Sequence, residues 1–87
     1  MSRMGLFYIG WTTDIGGQKI CRIFEFNNFV EAVRFVNEIA TITEEAWHHP
    51  DVHIFYNKVV LDLTTHDVSG VSEKDYILAG KIDEISK

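Results

Sequence analysis

Proline and cysteine are almost missing from this chain: each occurs once, as Pro50 and Cys21. A lone cysteine cannot close an intramolecular disulfide, so the fold does not depend on an oxidising compartment. Cys21 is expected to be a small hydrophobe on a strand. No Pro- or Ser-rich stretch or charge run forms a linker, and 87 residues fall far below the length at which a second core is expected. Residues 1–87 should therefore make one domain. Basic side chains are also scarce. Eight Lys and Arg against thirteen Asp and Glu leave a formal net charge of −5, which argues against a phosphate backbone as partner, because nonspecific nucleic-acid binding draws on clustered Lys and Arg. Long hydrophobic runs are missing too. The apolar stretch from Gly5 to Trp11 follows Arg3 but is too short to span a bilayer, and no small-residue cleavage site closes it. The expectation is a cytoplasmic protein with neither a membrane nor a direct nucleic-acid partner.

What the chain does contain is apolar and aromatic material in two periodicities. Hydrophobic residues make up 46% of it, enough for a core. From Leu6 to Thr13 the pattern alternates, with Phe7, Ile9 and Trp11 on one face and Tyr8 on the other. Gly16-Gly17 permits the positive φ of a tight reversal, and a second strand follows from Lys19 to Phe26 with Ile20, Phe24 and Phe26 on one face. Asn28 with Glu31 resembles a capping box. Phe29, Ala32, Val33, Val36 and Ala40 recur at helical spacing, predicting a helix to about Trp47 that Pro50 stops. Val52, Ile54 and Tyr56 alternate with His53 and Phe55, Asn57-Lys58 forms a connection, and Val59, Leu61 and Leu63 alternate again. Ser72 with Asp75 opens a last helix with Leu78, Ala79, Ile82 and Ile85 facing inward. The order β-β-α-β-β-α predicts an α+β fold, a four-stranded antiparallel sheet with helices packed on one face. Trp11 and Tyr56, both on alternating patterns, are expected in the core.

The chemistry-bearing residues are histidines. His48 and His49 fall at a helix end beside the only proline, and His66 follows Thr64-Thr65 at the end of a later strand. Imidazole titrates closest to neutral pH, so three of them in one pocket can give and take protons without a metal or cofactor. The hairpin from Pro50 to Thr65 would bring the doublet and His66 to the same end. Taken alone, the doublet also fits a cationic helix C-cap, and His66 a turn residue bonded to Asp67 or Ser69. Glu44 could orient His48 one turn later. Asp75 reads as the helix-cap partner of Ser72 first and as a support to the pocket second. His53, between Val52 and Ile54, reads as a sheet-face residue. A metal site is disfavoured: there is no second cysteine and no His-x-x-x-His pair on a helix, and adjacent histidines rarely chelate one ion cleanly.

The register of Glu44, His48-His49-Pro50, Tyr56-Asn57-Lys58-Val59, Thr65-His66-Asp67, Gly70 and Ser72-Glu73-Lys74-Asp75 resembles the pterin-4a-carbinolamine dehydratase family. Gly10-Trp11, Arg22, Phe24, Phe26, Phe29, Ala32, Phe35, Ala40, Ala79 and Ile82-Asp83 extend the match from Trp11 to Asp83. The resemblance implies dehydration of 4a-hydroxytetrahydropterins to quinonoid dihydropterin and water, in support of tetrahydrobiopterin recycling. It implies His48, His49 and His66 around the reacting edge. Pro50 and the backbone of Thr65, Asp67 and Val68 would form the wall against which the pterin lies. It also implies an alternative, since relatives act as dimerisation cofactors of a homeodomain transcription factor; another pterin substrate, as in molybdopterin metabolism, is a third. The family has a helix before the first strand, whereas only ten residues precede Trp11 here and they read as strand, so that helix is expected to be missing. A domain this small gains stability by association, and a homodimer or homotetramer is expected.

Overall fold

The computed structural model describes residues 10–14, 16–65, 68 and 70–86. The periodicities become β1 (Thr12–Thr13), β2 (Ile20–Glu25), α1 (Phe29–Ala46), β3 (Asp51–Phe55), β4 (Lys58–Leu63) and α2 (Glu73–Ile85). The strands form one antiparallel sheet in the order β1-β2-β4-β3, and both helices contribute buried residues to the core against it. Leu6 to Ile9 of the expected first strand lie outside the described residues, as does the ground on which an additional leading helix would be sought. Among the described residues, pairing begins at Thr12 ↔ Cys21. Gly10, at φ 95°, turns the chain there, and a Cβ at that position would meet the Arg22 side chain at 2.8 Å.

Alternation predicts which side of each strand is dry. On β2, Ile20 and Phe24 are buried, and on β4 Val59, Leu61 and Leu63 are buried, because these positions face the helices. Phe24 packs on Phe35 of α1 with ring centroids 4.8 Å apart. Leu78, Ala79 and Ile82 close the core from α2, with Ile85 partly buried beside them. Trp11 is buried as expected, and its indole Nε1 donates to Asp83 Oδ1 at 2.9 Å. The Arg22 guanidinium donates to the same oxygen at 2.6 Å and lies 4.4 Å from the Phe24 ring centroid. One α2 carboxylate thus holds two residues of the sheet.

Three expectations are corrected. First, of the expected face of Phe29, Ala32, Val33, Val36 and Ala40, α1 buries Ala32 and packs Val36 partly against the core, while its other buried residues are Phe35, Ile39 and Thr43. Two apolar stripes coexist on this helix, and the one carrying Phe35 and Ile39 delivers more apolar volume to the sheet. Phe29 and Val30 remain exposed, lining an open groove with Val33, Arg34 and Asn37. Second, the β3–β4 turn is Tyr56-Asn57, not Asn57-Lys58, since Phe55 pairs with Lys58. Tyr56 takes a left-handed φ of 54° and is 68% exposed; a residue at a hairpin tip cannot reach the core. Third, α1 ends before Pro50 can act. Trp47 adopts φ 54°, ψ 35°, its N–H reaches Glu44 O, and the His48 N–H reaches Thr43 O at 3.3 Å. This is a Schellman closure with tryptophan in the position glycine usually holds. Asn28 caps the other end, accepting from the Glu31 N–H at 2.9 Å.

Cys21 sits half-buried on the sheet face away from the helices. Burial first, then a hydrogen bond and the negative charge of Asp62, push its thiol up to about 11. It lies on a strand as expected, but half-buried and hydrogen-bonded to Asp62 rather than as a purely apolar side chain. No described helix is long and apolar enough to cross a membrane.

Candidate functional site

The left-handed turn at Trp47 decides where the two histidines go. Beyond it the chain reverses from α1 into β3, and consecutive side chains are thrown to different partners. His48 turns inward, with a side chain only 14% exposed, and its Nε2 lies 2.5 Å from Oδ1 of Asp75. His49 turns outward, and its Nε2 lies 2.7 Å from Oε2 of Glu44 with both side chains more than half exposed. Glu44 therefore meets His49, not His48. Nor does the His48 ring cap α1: its backbone N–H does so.

Asp75 is the anchor. It is fully buried at the start of α2, where a bare carboxylate would be costly. Three donors meet it. The Ser72 backbone N–H donates to Oδ2 at 2.9 Å, the Thr65 hydroxyl to Oδ2 at 2.8 Å, and His48 occupies Oδ1. The positive end of α2 adds to this. Thr65 Oγ1 also lies 2.6 Å from Ser72 Oγ. A hydroxyl has one proton, and that of Thr65 is committed to Asp75, so Ser72 donates to Thr65. The order of donation is Ser72 to Thr65 to Asp75, with His48 converging from the other side. An ionised carboxylate only accepts, so His48 carries its proton on Nε2, and a neutral ring leaves the Nδ1 lone pair available. No described residue takes that nitrogen.

His66 and Asp67 lie outside the described residues. Their neighbours do not: Thr65 bridges Gly70 and is tied to His48 through Asp75, and Val68 is 59% exposed. Pro50 is half-buried where the chain enters β3. The register Asp51 ↔ Asp62 puts the start of β3 opposite the end of β4, so Pro50 and Thr65 flank one end of the hairpin. His53 stands apart on the sheet face away from the helices, its Nε2 3.5 Å from Asp62 Oδ2. Among the described residues, no three His, Cys, Asp or Glu side chains group as metal ligands.

Sequence reasoning missed the cavity beside His48. It measures about 210 Å³ and is lined by Ala46, His48, Lys74, Ile77, Leu78 and Lys81. Spacings of three, four and seven residues put Lys74, Ile77, Leu78 and Lys81 on one side of α2, a signal visible in the sequence but without meaning until His48 is placed against it.

Comparison with known proteins identifies the family. Residues 3–85 match the family model described as pterin 4 alpha carbinolamine dehydratase. A Picosynechococcus protein named for pterin-4-alpha-carbinolamine dehydratase is 52% identical over 67 residues, 77% of this chain and 73% of the relative. A Sulfolobus acidocaldarius protein of the same name is 47% identical over 76 residues, 87% of this chain and 81% of the relative. The crystal structure of a Brucella melitensis transcriptional coactivator/pterin dehydratase superposes with a TM-score of 0.85 at 36% identity, covering 90% of this chain and 83% of that one. A pterin dehydratase-like RuBisCO assembly factor of the alpha-carboxysome, 17% identical with a TM-score of 0.77, covers 92% of this chain and 93% of its own and shares the fold. A family model matched almost end to end and relatives about half identical over most of the chain leave one assignment: this protein belongs to the pterin 4 alpha carbinolamine dehydratase family.

Proposed function

We propose that the protein dehydrates 4a-hydroxytetrahydropterins by histidine acid–base catalysis. The reaction breaks the C4a–OH bond. A proton goes to the departing hydroxyl, which leaves as water, and the N5 proton is removed as the C4a–N5 double bond of quinonoid dihydropterin forms. One acid and one base suffice, so neither a metal nor a cofactor is assigned. The observation that carries this reading is the buried Asp75 carboxylate on His48 Nε2. It steadies the ring, holds its tautomer and stabilises the imidazolium that appears when Nδ1 takes a proton. His49, paired with Glu44, and His66 supply the complementary proton transfers. Pro50, Thr65, Asp67 and Val68 form the wall for the pterin. Stopped-flow turnover of a synthetic carbinolamine tests this. Acceleration of water loss that falls in His48→Ala and persists in His53→Ala supports it, and no acceleration by the wild-type protein overturns it.

A second reading is a protein-association role, favoured by the description of the Brucella relative as a transcriptional coactivator as well as a dehydratase. In both readings we assign the protein a homodimeric or homotetrameric state. The support is the edge strand β3, exposed at every position, together with the exposed stripe of Phe29 and Val30 on α1. Light scattering at micromolar concentration checks it.

A further inference from the structure

The cavity beside His48 carries a specificity that the acid–base chemistry does not need. Its volume, about 210 Å³, falls below the roughly 300–1,000 Å³ of sites that enclose a whole drug-sized ligand. It has room for a substituent of a ligand whose reacting part lies at the histidine. Ile77 and Leu78 give it apolar walls, and Ala46 forms the side toward α1. Its charges come from Lys74 and Lys81, and no acidic side chain lines it. Neither ammonium group makes an ion pair with a described residue, unlike Lys19 with Asp62 and Arg22 with Asp83. Two cations without an ion-pair partner among the described residues therefore share one small cavity on a chain of net charge −5. The nearby end of α1 adds a partial negative charge, but the Schellman closure already occupies the carbonyls of Thr43 and Glu44. That leaves the two full positive charges dominant. Long, flexible ammonium stems suit an anionic group of variable position.

Resting on the dehydratase reading, we propose that this cavity is a subsite for an anionic substituent of the pterin, a phosphate ester or a carboxylate, held by Lys74 and Lys81 while the ring meets His48. The protein would then prefer pterins with a charged side chain over those with a neutral one. The preference should fall with ionic strength, because both lysines are exposed.

Two measurements test the subsite. Fluorescence titration with 6-hydroxymethylpterin, its phosphate monoester and 6-carboxypterin reads binding without turnover. The wild-type protein should bind at least one anionic ligand about tenfold more tightly than the neutral one, and the tighter of the two identifies the anion. Lys74→Gln and Lys81→Gln should each remove about threefold to tenfold of the anionic affinity, and several times less of the neutral affinity. Carbinolamines carrying the same side chains should show the same split in KM rather than in kcat. Equal affinity for charged and neutral pterins, or equal losses for both in the lysine variants, overturns the subsite. If no carbinolamine turns over but the charge preference and its lysine dependence persist, the dehydratase reading fails and the anion subsite stands. Catalysis without charge preference overturns the subsite and leaves the dehydratase reading standing.

Discussion

His48 and His49 are neighbours in the chain, and each has a carboxylate on Nε2, at 2.5 and 2.7 Å. They differ in everything around the pair. Asp75 is fully buried, receives two further hydrogen bonds and sits at a helix start, whereas Glu44 is 77% exposed on the surface of α1. An exposed pair is screened and worth little, while a buried, fully bonded one fixes geometry and is costly to break. The same residue types in sequence thus yield one held imidazole and one adaptable imidazole. On the proposed dehydratase reading, that division would supply one fixed and one adjustable proton-transfer group.

The sharpest way to break this comparison is to remove the rings. His48→Ala and His66→Ala should each lower carbinolamine turnover by about 10²–10⁴-fold, the usual worth of a positioned acid or base, read by stopped-flow absorbance. His49→Ala should also lower it, and a smaller factor than for His48→Ala would reflect its exposed setting.

Asp75→Ala comes next. It strands the Thr65 hydroxyl, the Ser72 N–H and His48 together, and should cost about 3 kcal/mol in urea unfolding. Glu44→Ala on the other side should stay within about 0.5 kcal/mol. Equal losses for the two would mean that burial does not distinguish the pairs.

A smaller effect lies between the histidines. Trp47 holds a left-handed conformation and is 88% exposed, so its indole contributes little packing to set against the backbone cost. Trp47→Gly should stabilise the protein by about 1 kcal/mol, measured as a higher urea midpoint at unchanged m. A loss of stability instead would show that the indole contributes more packing than its exposure implies.

The smallest effect is a control on the other face of the sheet. Cys21 is raised from 9.0 to about 11 in the folded state. A thiol whose folded pKa lies above its unfolded one contributes its stability in full below pH 9, and that contribution is lost as pH rises toward 11. Wild-type protein should lose slightly more stability over that window than Cys21→Ala.

The elements were legible in the sequence wherever periodicity and burial agree. Ile20 and Phe24 on β2, Val59, Leu61 and Leu63 on β4, and Leu78 and Ile82 on α2 are where alternation and helical spacing predict. The caps at Asn28 and Ser72 are local chemistry, readable over three residues. On α1 the same logic succeeds only for Ala32 and Val36, because two apolar stripes compete and only the sheet chooses between them. Tyr56 fails for a related reason: a one-residue shift in the turn carries an alternating pattern past the end of its strand.

For the site, the residue types and their register were sufficient to single out the three histidines, Glu44 and Asp75, and through them the family, because a family signature is carried by residue identity and spacing. Their pairing was not readable. Glu44 with His49 and Asp75 with His48 follow from the reversal at Trp47, a backbone state that no side-chain preference announces. The cavity of Lys74 and Lys81 exists only because α2 lies against the end of α1. Local pattern sets what each segment can be. Which carboxylate meets which imidazole is decided by long-range packing, since partners 27 residues apart, His48 and Asp75, meet only when the whole sheet and both helices have closed around them.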